Sequence, residues 1–143
     1  MMCYNSFMEN CIFCKIIKGE APSTKIYEDD VCMAFLSLHQ NSDGHTILIP
    51  KEHSRNILET PDNILEHLGK ELKHIGKAVK EGVEAEGLNI ISNLEKAAGQ
   101  VVFHTHIHLI PRYENDGFKN WQMKGGFTDE QAIKIAEKIK NFL

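Results

Sequence analysis

Three histidines separated by single residues lie in the second half of the chain, at His104, His106 and His108. Their β-branched and aromatic neighbours favour an extended segment, in which side chains change face at every residue. The sequence therefore predicts three imidazoles on one face of one strand, about 7 Å apart at successive positions, with Thr105 and Ile107 packing on a core. Neutral imidazole is a nucleophile and proton carrier near pH 7, so the row indicates catalysis.

Metal binding is the alternative interpretation of this row. His-x-His on a strand can bind catalytic zinc, and a lone histidine usually serves only packing or the surface. We interpret the row as catalytic and keep chelation of a metal by the whole triad as the alternative. The histidines predicted to be structural or exposed are His39, His45, His67 and His74.

A cysteine pair, Cys11-x-x-Cys14, lies near the start of the chain. A redox pair is expected to follow a strand in a βαβ unit, which this sequence does not indicate. Packed thiols and a structural zinc site remain open, and zinc would need two further donors. We expect Cys3 and Cys32 to take no part, with Cys32 buried in its strand.

The elements that must position these groups predict an α+β domain with an antiparallel sheet, because the connections between strands are short. A short helix is expected over 11–19. One long amphipathic helix is expected from a Thr60 cap to Gly87. The capping box Thr128-x-x-Gln131 predicts an amphipathic C-terminal helix. Strands are predicted at 25–27, 31–36, 45–49 and 88–94, besides the histidine strand.

Composition indicates a single globular domain over 1–143, with 1–10 frayed and 113–143 forming a C-terminal extension. The chain is 42% hydrophobic and 25% charged, with a net charge of −4. This charge gives no electrostatic reason to expect duplex nucleic acid. No apolar run reaches the roughly 20 residues of a membrane span, and no secretory segment is evident. We expect a cytoplasmic protein with reduced thiols.

The segment 99–112, which contains the histidine row after Gly-Gln, resembles the signature of the histidine triad family of nucleotide hydrolases and transferases. The resemblance extends to 11–17, 44–46 and 49–53. It implies an antiparallel sheet with one long helix, and a homodimer formed through that helix and a neighbouring strand.

The resemblance also implies residue roles. His106 corresponds to the nucleophile that attacks the α-phosphorus, and His108 to the residue that bonds the phosphate or protonates the leaving group. His104 corresponds to a supporting residue. Asn93 and Gln100 match positions that contact the phosphate or leaving group, unless they merely bond loop backbone.

The nucleotide contacts implied by the resemblance depart from the family at two positions. Ser37, followed by Leu38, stands where family members carry an Asp or Asn that grips the ribose hydroxyls. Val101 stands where a Ser or Thr commonly donates to phosphate. Arg112 is a distal phosphate contact or, alternatively, a solvated charge.

For the metal, the resemblance supplies His53 and His104 as partners of Cys11 and Cys14. Tetrahedral zinc on these four side chains is expected to pin the N-terminus to the centre of the sheet.

The function implied is hydrolysis of purine nucleotide conjugates, such as nucleoside phosphoramidates or dinucleoside polyphosphates. The reaction is expected at the α-phosphate through a covalent nucleotidyl-histidine. A nucleotidyltransferase is one alternative, although transferases of the superfamily often carry glutamine at the position of His108. A nucleotide-binding regulatory protein with little turnover is the other.

Overall fold

The computed structural model describes residues 10–119 and 125–143. The prediction of a frayed N-terminus concerns mainly 1–9, which lie outside the described residues. In chain order the elements are α1 (Ile12–Ile17), β1 (Lys25–Glu28), β2 (Cys32–Leu36), β3 (Thr46–Pro50), the 3-10 helix η1 (Ile57–Glu59), α2 (Asp62–Gly82), β4 (Gly87–Ile91), the 3-10 helix η2 (Lys96–Ala98), β5 (Ile107–Arg112) and α3 (Asp129–Lys140).

The five strands form one sheet in the order β1-β2-β3-β5-β4, and each neighbouring pair is antiparallel. This confirms the predicted α+β class. The first three strands form a meander, and β4 and β5 form a hairpin. The two halves meet where β3 pairs with β5, at registers such as Ile47 opposite His108.

The sheet has a different covering on each face, because side chains alternate along each strand. Helix α2 packs its predicted apolar stripe on one face, where Leu48 and Leu109 are fully buried. Helix α1 covers the other face through Phe13 and Ile16, against Ile47 and its neighbours. The side chain of His108 lies on the α1 face, because His108 pairs with Ile47.

The long helix differs from its prediction at both ends. Its N-cap is Pro61, which makes no side-chain cap bond, and the helix ends at Gly82 rather than Gly87. Thr60 instead ends the 3-10 helix η1, and its hydroxyl donates to the carbonyl of Asn56 at 3.0 Å. Beyond the helix, Glu84 adopts a positive φ of 54°, which turns the chain toward β4.

Two glycines inside α2, Gly69 and Gly76, have different surroundings. A Cβ added at Gly76 would lie 3.4 Å from the Leu88 side chain, so α2 approaches the sheet closely there. A Cβ added at Gly69 would meet nothing within 4 Å.

The prediction that all three histidines share one strand is wrong. Strand β5 begins at Ile107, so only His108 of the three lies in it. Residues 104–106 leave the ladder because the loop makes tertiary hydrogen bonds, including Thr105 N–H to the Ser54 carbonyl at 2.8 Å. Thr105 and Ile107 are buried as predicted.

The C-terminal helix confirms its predicted start. Thr128 accepts from the Gln131 N–H and the Gln131 side chain accepts from the Thr128 N–H, which is a complete capping box. The part of the predicted extension at 120–124 lies outside the described residues. Within 10–119 and 125–143, every helix is too short or too polar to cross a membrane.

Candidate active site

His106 is held in one tautomer by the main chain. Its Nδ1 lies 2.6 Å from the carbonyl oxygen of His104, which can only accept, so Nδ1 carries the proton. The lone pair of a neutral ring is then on Nε2. The ring is buried and meets the Phe13 ring edge-on, with centroids 5.3 Å apart. His106 therefore presents a nitrogen nucleophile in fixed orientation.

His108 is paired with His45, which lies just before β3. The His45 Nε2 and His108 Nδ1 atoms are 3.0 Å apart. The main-chain N–H of Asn41 donates to His45 Nδ1 at 3.3 Å, so a neutral His45 carries its proton on Nε2 and donates to His108. Neutral His108 then keeps its own proton on Nε2. The chain of bonds makes His108 a donor.

The two rings form a contiguous pair, with centroids 4.9 Å apart and planes at 84°. Burial lowers the pKa of His106. Burial and the nearby imidazoles of His106 and His45 lower the pKa of His108 to about 4. Both rings are therefore neutral near pH 7, which leaves one lone pair for attack and one N–H for donation.

Hydrogen bonds to neighbouring segments fix the loop before β5. The Ser92 hydroxyl donates to the His106 carbonyl at 2.8 Å. The hydroxyls of Ser54, Thr60 and Thr105 form a buried triangle with 2.8 Å sides. The loop that contains His106 is thus held by hydrogen bonds from two neighbouring segments.

The four predicted metal ligands come together behind this pair. The donor atoms of Cys11, Cys14, His53 and His104 all lie within 4.8 Å of one another. Cys14 Sγ is 3.3 Å from His53 Nδ1 and 3.6 Å from His104 Nδ1, and the two Nδ1 atoms are 3.1 Å apart. Tetrahedral zinc, with bonds of about 2.0 Å to nitrogen and 2.3 Å to sulfur, requires separations of roughly 3.3 to 3.8 Å.

The donor chemistry of this cluster also fits zinc. His104 Nε2 lies 2.9 Å from the Pro50 carbonyl, which fixes the Nε2–H tautomer and leaves the Nδ1 lone pair facing the cysteines. Burial and the neighbouring Cys11 raise the pKa of Cys14 to about 12, a setting in which a thiolate requires a cation. The residues therefore fit a Cys₂His₂ zinc ion.

The family model described as the HIT domain matches residues 18–115. The chain belongs to the HIT family. A HIT family protein from Bacillus subtilis, known from a crystal structure, is 40% identical, with a TM-score of 0.88 over 94% of this chain and 97% of that one. The family and fold implied by the sequence are thus confirmed.

Two further relatives carry informative names. Adenylylsulfatase HINT3 of Arabidopsis thaliana is 41% identical over 78% of this HIT chain and 57% of its own length. The structure of a Zn-bound histidine triad family protein from Mycobacterium smegmatis is 35% identical, with a TM-score of 0.74, over 82% of this chain and 86% of that one.

The Gln100 side chain of this HIT protein bonds loop backbone, which was the alternative to a phosphate contact. Its Oε1 accepts from the Glu95 N–H at 2.8 Å, and its Nε2 donates to the carbonyls of Arg55 and Val102 at 2.7 and 3.1 Å. Asn93 lies beside the same loop, with its Nδ2 3.7 Å from the position of a Cβ on Gly99.

The residues expected at the nucleotide are open to solvent or engaged locally. Leu38 and Val101 are 84% and 85% exposed, so neither side chain packs in the core. The Ser37 hydroxyl donates to the His39 carbonyl at 3.0 Å.

Arg112 lies at the far end of β5, about 13 Å of strand beyond His108. Its guanidinium donates twice to Asp116 at 2.6 Å and once to the Asn89 side chain at 2.7 Å. The structure thus joins His106 and His108 but places Arg112 in a separate ion-pair cluster.

His45 is the residue that the sequence interpretation missed. It was expected to be structural or exposed. The residue is buried, with 3% exposed, which fits the structural alternative, but its bond to His108 was not expected. The signal that could have found it is its position at the start of β3, the strand that pairs with β5.

Proposed function

We propose that this HIT protein is a cytoplasmic, homodimeric hydrolase of purine nucleotide conjugates that acts at the α-phosphate. The observation that carries the proposal is the His106 Nδ1–H bond to the His104 carbonyl, with His108 alongside as a donor. A fixed lone pair next to a fixed N–H is what two-step displacement at phosphorus requires.

In the first step, His106 Nε2 attacks the α-phosphorus, so that an N–P bond forms while the bond from phosphorus to the leaving oxygen or nitrogen breaks. His108 stays neutral and donates a hydrogen bond from Nε2–H to the leaving atom, which takes its proton from solvent water. In the second step, water attacks phosphorus, the N–P bond breaks, the lone pair returns to His106 Nε2, and the proton of the attacking water passes to solvent. The nucleoside monophosphate leaves, and both rings are neutral.

The relative named an adenylylsulfatase supports an adenylyl group as the part of the substrate that is transferred. Zinc is proposed as a structural ion on the four ligands. When bound, zinc supplies a cross-link between α1 and the segments that contain His53 and His104. The relative described as Zn-bound supports this assignment. Because α1 also places Phe13 against the His106 ring, this cross-link would help to hold Phe13, and with it His106, in position.

The test is capture of the intermediate. Rapid acid-free quenching with an adenosine phosphoramidate, followed by mass spectrometry, is expected to show an adenylyl group on the peptide that contains His106. His106→Ala should show no adduct and lose turnover by orders of magnitude. His74→Ala, an exposed histidine on α2, is the matched control and should behave as wild type. Normal turnover in His106→Ala would overturn the proposal.

The alternatives give different results in the same assay. A nucleotidyltransferase forms the adduct but passes the group to an added phosphate acceptor rather than to water. A regulatory protein binds nucleotide without turnover. The local engagement of the Ser37 hydroxyl is the observation that keeps the second alternative in the test.

A further inference from the structure

Glu95 adopts a backbone conformation that belongs almost entirely to glycine. It lies between β4 and η2 with φ 68° and ψ 164°. A Cβ is strongly disfavoured in this region, and such conformations persist only where surrounding contacts hold them. Strained residues of this kind occur preferentially at functional sites. The contacts that hold Glu95 in this conformation therefore indicate which part of the structure depends on it.

The side chain of Glu95 is held by the segment after β3. Its two carboxylate oxygens accept hydrogen bonds from Nε and Nη2 of Arg55, both at 2.7 Å. One of these oxygens also accepts from Asn56 Nδ2 at 3.1 Å. Two parallel charge-assisted bonds fix the carboxylate in direction as well as distance. The Arg55 guanidinium stacks on Phe103, 4.3 Å above the ring centroid.

The main chain of Glu95 is held by Gln100. The Glu95 N–H donates to Gln100 Oε1 at 2.8 Å, and the Gln100 N–H donates to the Glu95 carbonyl at 3.1 Å. The Gln100 amide closes the ring of contacts on the Arg55 carbonyl at 2.7 Å. Gln100 is 3% exposed and begins the loop that carries His104 and His106.

We propose that Glu95 is a positioning residue for the nucleophile. Its carboxylate, held by Arg55, keeps the strained backbone that anchors Gln100. That anchor sets the path of residues 100–106, in which the His104 carbonyl fixes the ring of His106. The proposal rests on the proposed role of His106 as nucleophile. It requires that the carboxylate act by holding a glycine-like backbone, not by its charge.

Two substitutions of Glu95 distinguish a carboxylate that holds the backbone from one that acts by its charge. Glu95→Ala removes the carboxylate but keeps the Cβ, so the strain remains with nothing to hold it. Glu95→Gly removes both, so the same backbone persists without a clamp. Lys96→Ala, an exposed neighbour, is the matched control.

Two measurements follow each variant. Single-turnover adenylylation of His106 is expected to slow about tenfold in Glu95→Ala, because small misplacement of a nucleophile is costly, with KM little changed. The Nδ1–H signal of His106 in histidine-labelled protein, which needs no catalysis, should broaden or disappear. Glu95→Gly is expected to stay within about twofold of wild type and keep the signal. A catalytically inactive wild type would overturn the proposed function, while the N–H signal still tests Glu95.

Wild-type behaviour in both Glu95 variants would overturn the proposal and leave a surface ion pair only. Equal loss in Ala and Gly would also overturn it, because the charge itself would then be required. Arg55→Lys supplies an independent test that does not depend on the folding of Glu95→Ala. It keeps the charge but not the two-pronged geometry, so it should slow the wild type and have no effect in the Glu95→Gly background.

Discussion

The carbonyl oxygen of His104 lies 2.6 Å from Nδ1 of His106, while the ring of His104 faces Cys11 and Cys14. One residue therefore serves the proposed nucleophile with its backbone and the proposed metal with its side chain. This explains why the first histidine of the row is not itself available for chemistry. The proposed catalytic site and the proposed metal site therefore share one residue but use different atoms of it.

The metal prediction follows from that separation. Purified protein should contain about one zinc per chain, since the four ligands make one tetrahedral site. Cys11→Ser should lose the metal and lower the melting temperature. Elemental analysis and a thermal scan check both. Cys32→Ser, at another buried cysteine, is the control and should keep its metal. A stable wild type without metal would contradict the site.

The His45–His108 bond predicts that His45 assists departure of the leaving group by keeping the proton of His108 on Nε2. His45→Ala removes the donor to His108 Nδ1, so His108 no longer keeps its proton on Nε2. Turnover should fall about tenfold to a hundredfold for poor leaving groups, and much less for good ones that need no hydrogen bond from His108. Asn41→Ala retains the main-chain N–H that holds His45 and serves as the control. An equal loss for all leaving groups would exclude this role.

Ser37 predicts weak recognition of ribose. A carboxylate can accept from both ribose hydroxyls, whereas the Ser37 hydroxyl can satisfy one at most. Ser37→Asp should therefore tighten adenosine monophosphate binding by about 1 kcal/mol and leave the deoxy form unchanged. Calorimetric titration of both proteins with both nucleotides is the measurement. Four equal affinities would mean that the ribose is held elsewhere.

Asp29 predicts an acid-sensitive contribution to stability. Burial disfavours its charge, but hydrogen bonds from the Cys32 N–H, His67 and the Val31 N–H outweigh burial and hold the pKa of Asp29 well below its usual range. The stabilisation is therefore present above the unfolded pKa of about 3.9 and is lost as pH falls toward the folded value.

The corresponding experiment compares Asp29→Asn with wild type in urea at pH 7, 5 and 3. The wild type should be more stable by about 1–2 kcal/mol at pH 7 and 5, and the gap should shrink at pH 3. Asp30→Asn, an exposed neighbour, should show no such gap. A difference that does not change with pH would argue against ionisation of Asp29 as its source.

Local patterns predicted much of the fold. The apolar stripe of α2 and the capping box of α3 depend on residues three to four apart, and both are present. The predicted cap at Thr60 was wrong: Thr60 ends η1, and its hydroxyl bonds Thr105, which is 45 positions away in the sequence. Tertiary contacts of this kind override local helix-capping preferences, and they produce no pattern in the sequence from which they could be predicted.

The site was predictable where a motif recorded it and not elsewhere. The candidates His106 and His108 came from the histidine row, whereas the strand predicted through all three histidines is wrong because Thr105 and His106 bond to Ser54 and Ser92 instead. The candidate metal ligands His53 and His104 came from resemblance, since spacing alone cannot join Cys11 to a residue 93 positions away. His45 was missed because its partner lies across the β3–β5 junction.

That junction has a consequence for how the protein acquires its site during folding. The β1–β2–β3 meander and the β4–β5 hairpin can each form from nearby residues, but β3 meets β5 only after the chain has closed a long loop through α2. Closing long loops is slow and is rewarded only when the final contacts form. Because His45 and His108 are 63 positions apart, the pair arises at that closure. Either half of the chain alone therefore lacks the pair.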